Sequence, residues 1–213
     1  LRILRYLRFF LNYSKVKHNL EIIRKLKMNI GGVSILSKER LLDELKKISK
    51  LDTLEKLSKD KHSLDLILLI FPELKNVKIF SYLDLNKKKF LKKVDFIFLL
   101  SLLIIDGSDN VDYFLYKYNI SKKDQKRKKI INNFFKEKIN LKKFTTKNIN
   151  KFFYYNGKEA VIDILTFKII KSKKFDQIIF DLINHYKNKP LPIMPIRADV
   201  LMLSLIHISE PTR

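Results

Sequence analysis

The residues best suited to chemistry stand at the start of the chain, where LRILRYLRFF sets Arg2, Arg5 and Arg8 three positions apart. On a helix this spacing makes a slanting ridge about 120° wide, with Ile3, Leu4, Leu7, Phe10 and Leu11 on the other side. A guanidinium presents a planar fork of donors that fits phosphate oxygens or the edge of a base, whereas an ammonium is a point charge. Arginine is scarce here: Arg2, Arg5, Arg8, Arg24, Arg40, Arg127, Arg197 and Arg213 are the whole set, and lysine supplies the remaining cations. Tyr6 and Phe9 flank the ridge, where a base could stack. The plain alternative is a solvated basic face on a packed helix.

Two further stretches bear on function. In LSKERLLDELKKI, Ser37 is a good N-cap and Glu39 lies in the first turn, where the helix dipole favours an anion. Arg40 is spaced to pair with Glu44 at i,i+4. Leu41, Leu42, Leu45 and Ile48 supply a buried stripe, so this motif reads as scaffold. SKKDQKRKKIINNFFKE is the densest basic segment, with Lys122, Lys123, Lys126, Arg127, Lys128 and Lys129 ahead of Ile130, Ile131, Phe134 and Phe135. It reads first as a solvated helix face and second as an RNA contact, because charge runs usually solvate.

These residues must be positioned by helices, since no strand alternation persists long enough to make a sheet. The pattern predicts helices over 1–13, 16–28, 37–51, 53–61, 63–71, 94–105, 111–118, 121–137, 146–155, 158–171 and 175–187, with shorter helices between 73 and 93. Leu20, Ile23 and Leu26 are expected to point inward. Gly31 with Gly32, Gly107 and Gly157 fall where the helical pattern stops. Pro190, Pro192 and Pro195 predict an extended connector, and 197–202 the start of another helix. The expected fold is all-α, an elongated array of packed helices.

Composition narrows the function classes. The 213 residues carry 45 Lys plus Arg against 22 Asp plus Glu, a formal net charge of +23, which favours a polyanionic partner, nucleic acid before membrane. Lys, Ile, Asn, Phe and Tyr share A- and T-rich codons, so part of this charge reflects coding composition. The absence of cysteine excludes disulfides, a thiol nucleophile and Cys-ligated metal. His18, His62, His185 and His207 stand apart from one another without ligand spacing, so no metal site is expected within these residues. The apolar run 96–105 is far shorter than the roughly 20 residues of a membrane span and reads as a buried core helix. No signal peptide is expected, and the expected compartment is the cytoplasm.

The run LRILRYLRFFLNYS followed by LSKERLLDELKKI resembles the neck of the class II tRNA nucleotidyltransferase and bacterial poly(A) polymerase family. There a Leu-Arg-x-x-Arg-x-x-Arg-Phe element precedes an Ile-Ser-x-Glu-Arg-x-x-x-Glu-Leu helix. YYNGKEAVIDILTF and PLPIMPIRADVLM resemble later family segments, with Arg197 standing at the family's glycine. The resemblance implies that Arg2 pairs with the edge of an incoming CTP or ATP, that Arg5 and Arg8 help hold the nucleotide, and that Ser37, Glu39, Arg40 and Glu44 are neck scaffold. It implies residues 1–60 as neck, 61–140 as helical body and 141–202 as the start of a tail, with tRNA as partner. Two Mg²⁺ ions would be held by carboxylates of a catalytic head that lies upstream of residue 1. The parent would add CCA to tRNA 3′ ends, or poly(A), and the chain by itself is expected to be inactive. LSLIHISEPTR, residues 203–213, resembles the in-frame translation of a transposase-type sequencing adapter and is expected to be read-through. Two other readings stand beside this one: a non-enzymatic basic helical RNA-binding module, and a basic amphipathic protein lying on anionic membrane.

Overall fold

The computed structural model describes residues 1–13, 17–136, 144–172 and 176–190. Among them the chain is all-helical, with eleven α-helices, two short 3₁₀ helices and no strand. The expected starts at residues 16 and 175, the end at 137, Pro192, Pro195, the helix from 197 and segment 203–213 lie outside the described residues.

The N-terminal layer is built on α1 (Arg2–Tyr13), whose Ile3, Leu4, Leu7 and Leu11 are buried against α3 (Lys38–Ile48) and α4 (Leu51–Lys59). Between them, α2 (Leu20–Met28) starts at Asn19, whose side chain accepts from the Glu21 amide. Ile23 is buried, but Leu20, the first helical residue, is exposed, contrary to its expected inward position. The predicted single helix over 37–51 ends at Ile48. Ser49 and Lys50 break it, and Leu51 opens α4 instead.

Acid N-caps set most later boundaries, each carboxylate taking an amide that the first turn leaves without an intrahelical partner. Asp60 caps α5 (Lys61–Ile70), Asp84 caps α6 (Leu85–Leu91), Asp95 caps α7 (Phe96–Ile104) and Asp176 caps α11 (Gln177–Asn188). Helix α7 is the centre expected of the apolar run, buried from Phe98 through Ile104. It packs on α8 (Asn110–Lys117) and α9 (Lys122–Lys136), and α9 packs on α10 (Thr146–Lys171). Gly157 interrupts α10 at φ 81°, ψ 178°, so the two helices expected there join across a kink. One hydrophobic cluster runs from Ile3 to Tyr186, linking α1 to α11.

Candidate nucleic-acid interface

Each arginine of the N-terminal ridge meets a different environment. Arg2 and Arg5 are exposed, with no ion pair among the described residues. Arg8 is half-buried, with its Nε 3.5 Å from Oε2 of the buried Glu44, and its guanidinium carbon lies 5.1 Å from the centre of the Phe9 ring. Glu44 also takes Lys47 at 2.9 Å. The expected Arg40–Glu44 pair is therefore not formed. Glu44 belongs to the inward stripe with Leu41, Leu45 and Ile48, and α1 brings it a nearer cation. Arg40 and Glu39 remain exposed, and Ser37 caps α3 through the Arg40 amide as expected.

The stacking residues also differ from the sequence reading. Tyr6 turns inward: its ring stacks on Phe10 and its hydroxyl meets Nδ1 of His18 at 2.8 Å. Phe9 and Tyr13 are the exposed aromatics, 55% and 75% accessible, with ring centres 5.8 Å apart. At about 100° per residue, Arg2, Arg5, Phe9 and Tyr13 fall within one solvent-facing stripe roughly 80° wide. The outer face of α1 is thus two free guanidinium forks leading into two aromatic rings.

Several contacts hold that face still. Lys56 Nζ donates to the Leu11 carbonyl at 3.0 Å and Thr53 Oγ1 to Asn12 Oδ1 at 3.0 Å, tying the end of α1 to α4. His18, isolated in the sequence, stacks on Phe10 with centroids 3.4 Å apart. Its Nε2 is 2.8 Å from Asp60 Oδ2 and 2.9 Å from Ser63 Oγ. Burial alone would raise the Asp60 carboxyl, but hydrogen bonds from Ser63 and His18 outweigh it and hold the group below its ordinary value. With the carboxylate fixing hydrogen on Nε2, a neutral ring leaves Nδ1 to accept from Tyr6. No local spacing announces this chain of contacts, because Asp60 lies 42 residues from His18.

The basic segment on α9 divides three ways. Lys122, Lys123, Lys126 and Lys129 are exposed, and Lys129 stands 4.0 Å from Asp112. Arg127 is instead a structural tie. It donates from Nε and Nη2 to Asp163 at 2.6 and 2.8 Å and from Nη1 to Asp95, joining α9 to α10 and to the start of α7. The Asp163 hydrogen bond, opposed by burial and reinforced by Asp95, holds this guanidinium above its ordinary pKa. Lys128 is fully buried, and its Nζ and the Asn132 Oδ1 one turn on both lack a hydrogen-bond partner among the described residues. Desolvation pushes this lysine down to about 8. Both residues are thereby removed from the expected RNA-facing set: extended toward the N-terminus, the Ile131 and Phe135 stripe runs through 127 and 128.

Lys123 and Lys126 line, with Lys46 of α3, a cleft of about 850 Å³ floored by Phe96, Ile97 and Ala160. Four acids line it, Asp95, Asp124, Glu159 and Asp163. Asp95 and Asp163 are bridged by Arg127, which sits where a cation would. Among the described residues no group of three His, Cys, Asp or Glu side chains could hold a metal ion. Nor is any helix among them long and apolar enough to cross a membrane. No protein-family model matches the chain, and no curated protein matches it significantly.

Proposed function

We propose that the chain is the RNA-binding part of a tRNA nucleotidyltransferase, whose parent adds CMP and AMP from CTP and ATP to tRNA 3′ ends. A poly(A)-adding parent is the variant of the same reading. The observation that carries it is the outer face of α1, where Arg2 and Arg5 have no ion pair among the described residues and lead into exposed Phe9 and Tyr13. Guanidinium forks take phosphate oxygens or a base edge, and the aromatic rings take base faces. The resemblance of LRILRYLRFF to the family's neck assigns the base edge to Arg2. Arg8 acts one step back: paired with Glu44 and lying over Phe9, it positions that ring. On this reading the chain's contribution is binding and orientation, and bond formation belongs to the parent's head, as the resemblance implies.

The test is a titration of labelled tRNA against the purified chain and its Arg2→Ala/Arg5→Ala variant. Each charged hydrogen bond is worth roughly 1.5–3 kcal/mol, so the double variant should bind at least about ten-fold more weakly. Its melting temperature should be unchanged, since exposed substitutions of this kind stay within about 0.5 kcal/mol. Arg2→Lys/Arg5→Lys should recover only part of the affinity. Full recovery would reduce the ridge to simple charge. Incubation with CTP, ATP and Mg²⁺ should give no incorporation, and any incorporation would overturn the assignment of chemistry to the head.

A further inference from the structure

A second cavity, far along the chain from the arginine ridge, lies between α6 and α11 and has a volume of about 370 Å³, within the roughly 300–1,000 Å³ of ligand pockets. We propose that it holds one nucleotide of a single-stranded RNA, with the base on its aromatic wall and the phosphates on its lysines. This inference does not depend on a nucleotidyltransferase parent.

Three neighbouring lysines of α6 are used in different ways, and one of them serves the cavity. Lys87 Nζ donates to the Ser172 carbonyl at 2.6 Å, anchoring α6 to the end of α10. Lys88 pairs with Glu55 of α4 at 2.7 Å. Lys89, the third, turns into the cavity together with Lys93 one turn on and Lys187 of α11. None of Lys89, Lys93 and Lys187 has an ion-pair partner among the described residues, and no acid lines the cavity. The acids nearest in sequence are occupied: Asp84, Asp95 and Asp176 cap their helices, Asp95 also takes Arg127, and Asp181 takes the Gln177 amide. Three uncompensated ammonium groups around one small hollow favour an anion, and their strong hydration suits phosphate at the cavity mouth.

The wall between them is aromatic. Phe90 and Phe180 meet edge to face with centroids 6.0 Å apart, both half-buried against the core, and Lys187 Nζ lies 5.7 Å from the Phe90 ring centre. A 6.0 Å centroid separation in this crossed arrangement leaves no parallel slot, so a base would lie on the open face of one ring. The side-chain amides of Asn86 and Asn184 also line the hollow, with no hydrogen bond of their own among the described residues, and each offers a donor and an acceptor to a base edge. Ring, amide and cation together describe a nucleotide more closely than a bare anion, which needs no ring, or a lipid surface, which needs no amide. Stacking on an aromatic side chain accepts any base, so weak sequence preference is expected.

The experiment uses the chain with labelled hexanucleotides and, separately, a hexamer carrying 4-thiouridine for photocrosslinking and peptide mapping. Crosslinks should fall on peptides containing Phe90 or Phe180, and Phe90→Leu should weaken hexamer binding at least about five-fold, the low end of base stacking. Lys89→Gln/Lys93→Gln alters only exposed side chains and should weaken binding as well, which keeps the test decisive if Phe90→Leu is poorly folded. Unchanged affinity in the lysine variant would overturn the proposal. So would loss in the lysine variant with none in a folded Phe90→Leu protein, which would mark a charge patch without a base site. Crosslinks confined to α1 would refute this cavity while leaving the arginine ridge standing, and crosslinks at Phe90 with none on α1 would do the reverse. Binding to phosphatidylserine vesicles that competes fully with the hexamer and depends equally on Phe90 would assign the cavity to lipid and overturn it too.

Discussion

Lys128 has a buried ammonium without a hydrogen-bond partner among the described residues, and desolvation lowers its pKa to about 8. In the unfolded chain it titrates near 10.4. Below pH 8 the lysine is charged in both states and its burial is a constant cost. Between pH 8 and the unfolded value only the unfolded chain holds the extra proton, so stability rises with pH. The full difference corresponds to about 3 kcal/mol. Melting temperature measured from pH 7 to 9.5 should climb more steeply for the native chain than for Lys128→Met, and the variant should be the more stable protein at pH 7. Parallel curves would mean that Lys128 is solvated. At the same scale, Arg8 and Arg127 show that two cations read from sequence as ligands can instead neutralise the buried carboxylates Glu44 and Asp163.

The kink in α10 belongs to the element scale. Gly157 holds φ 81°, ψ 178°, a backbone region closed to side-chain-bearing residues, yet a Cβ built there would meet nothing within 4 Å. Gly157→Ala should therefore destabilise through backbone strain alone, by about 1–3 kcal/mol. Chemical denaturation should show the loss in midpoint with little change in slope. A neutral substitution would mean that the kink relaxes into a continuous helix. The break lets the first half of α10 bury Ile149 and Phe153 while the second buries most residues between Ala160 and Ile170. It is also where the sequence reading was sound, because the helical pattern stops at this glycine. The division at Ser49 and Lys50 was harder to read, since apolar spacing continues from Ile48 into Leu51 and Leu54 across it.

Across the whole molecule, a net charge of +23 predicts RNA binding governed by phosphate contacts. Engagement of about four to six phosphates gives a log-log salt slope of roughly −3 to −5. Titrations of tRNA at several KCl concentrations should show affinity falling steeply toward physiological salt, and a flat response would make the charge a product of coding composition alone. The exposed Lys122, Lys123, Lys126 and Lys129 should contribute to that slope. Lys128, fully buried, and Arg127, held by two carboxylates, should not.

The sequence by itself determined the helical class, the buried α7 run, the Ser37 cap and the amphipathic α1, because each follows from local period and capping chemistry within a few residues. It also placed Arg2 and Arg5 on the outer face, since three-residue spacing settles which side of a helix faces away from Leu4 and Leu7. Which charged groups are spent inside the fold was decided only by tertiary structure. Glu44 meets Arg8 across two helices, Arg127 reaches Asp95 and Asp163 on two others, and His18 finds Asp60 42 residues away. The cavity between α6 and α11 has the same origin: Phe90 and Phe180 lie 90 positions apart in the chain, and only the packing of the two helices brings their rings together.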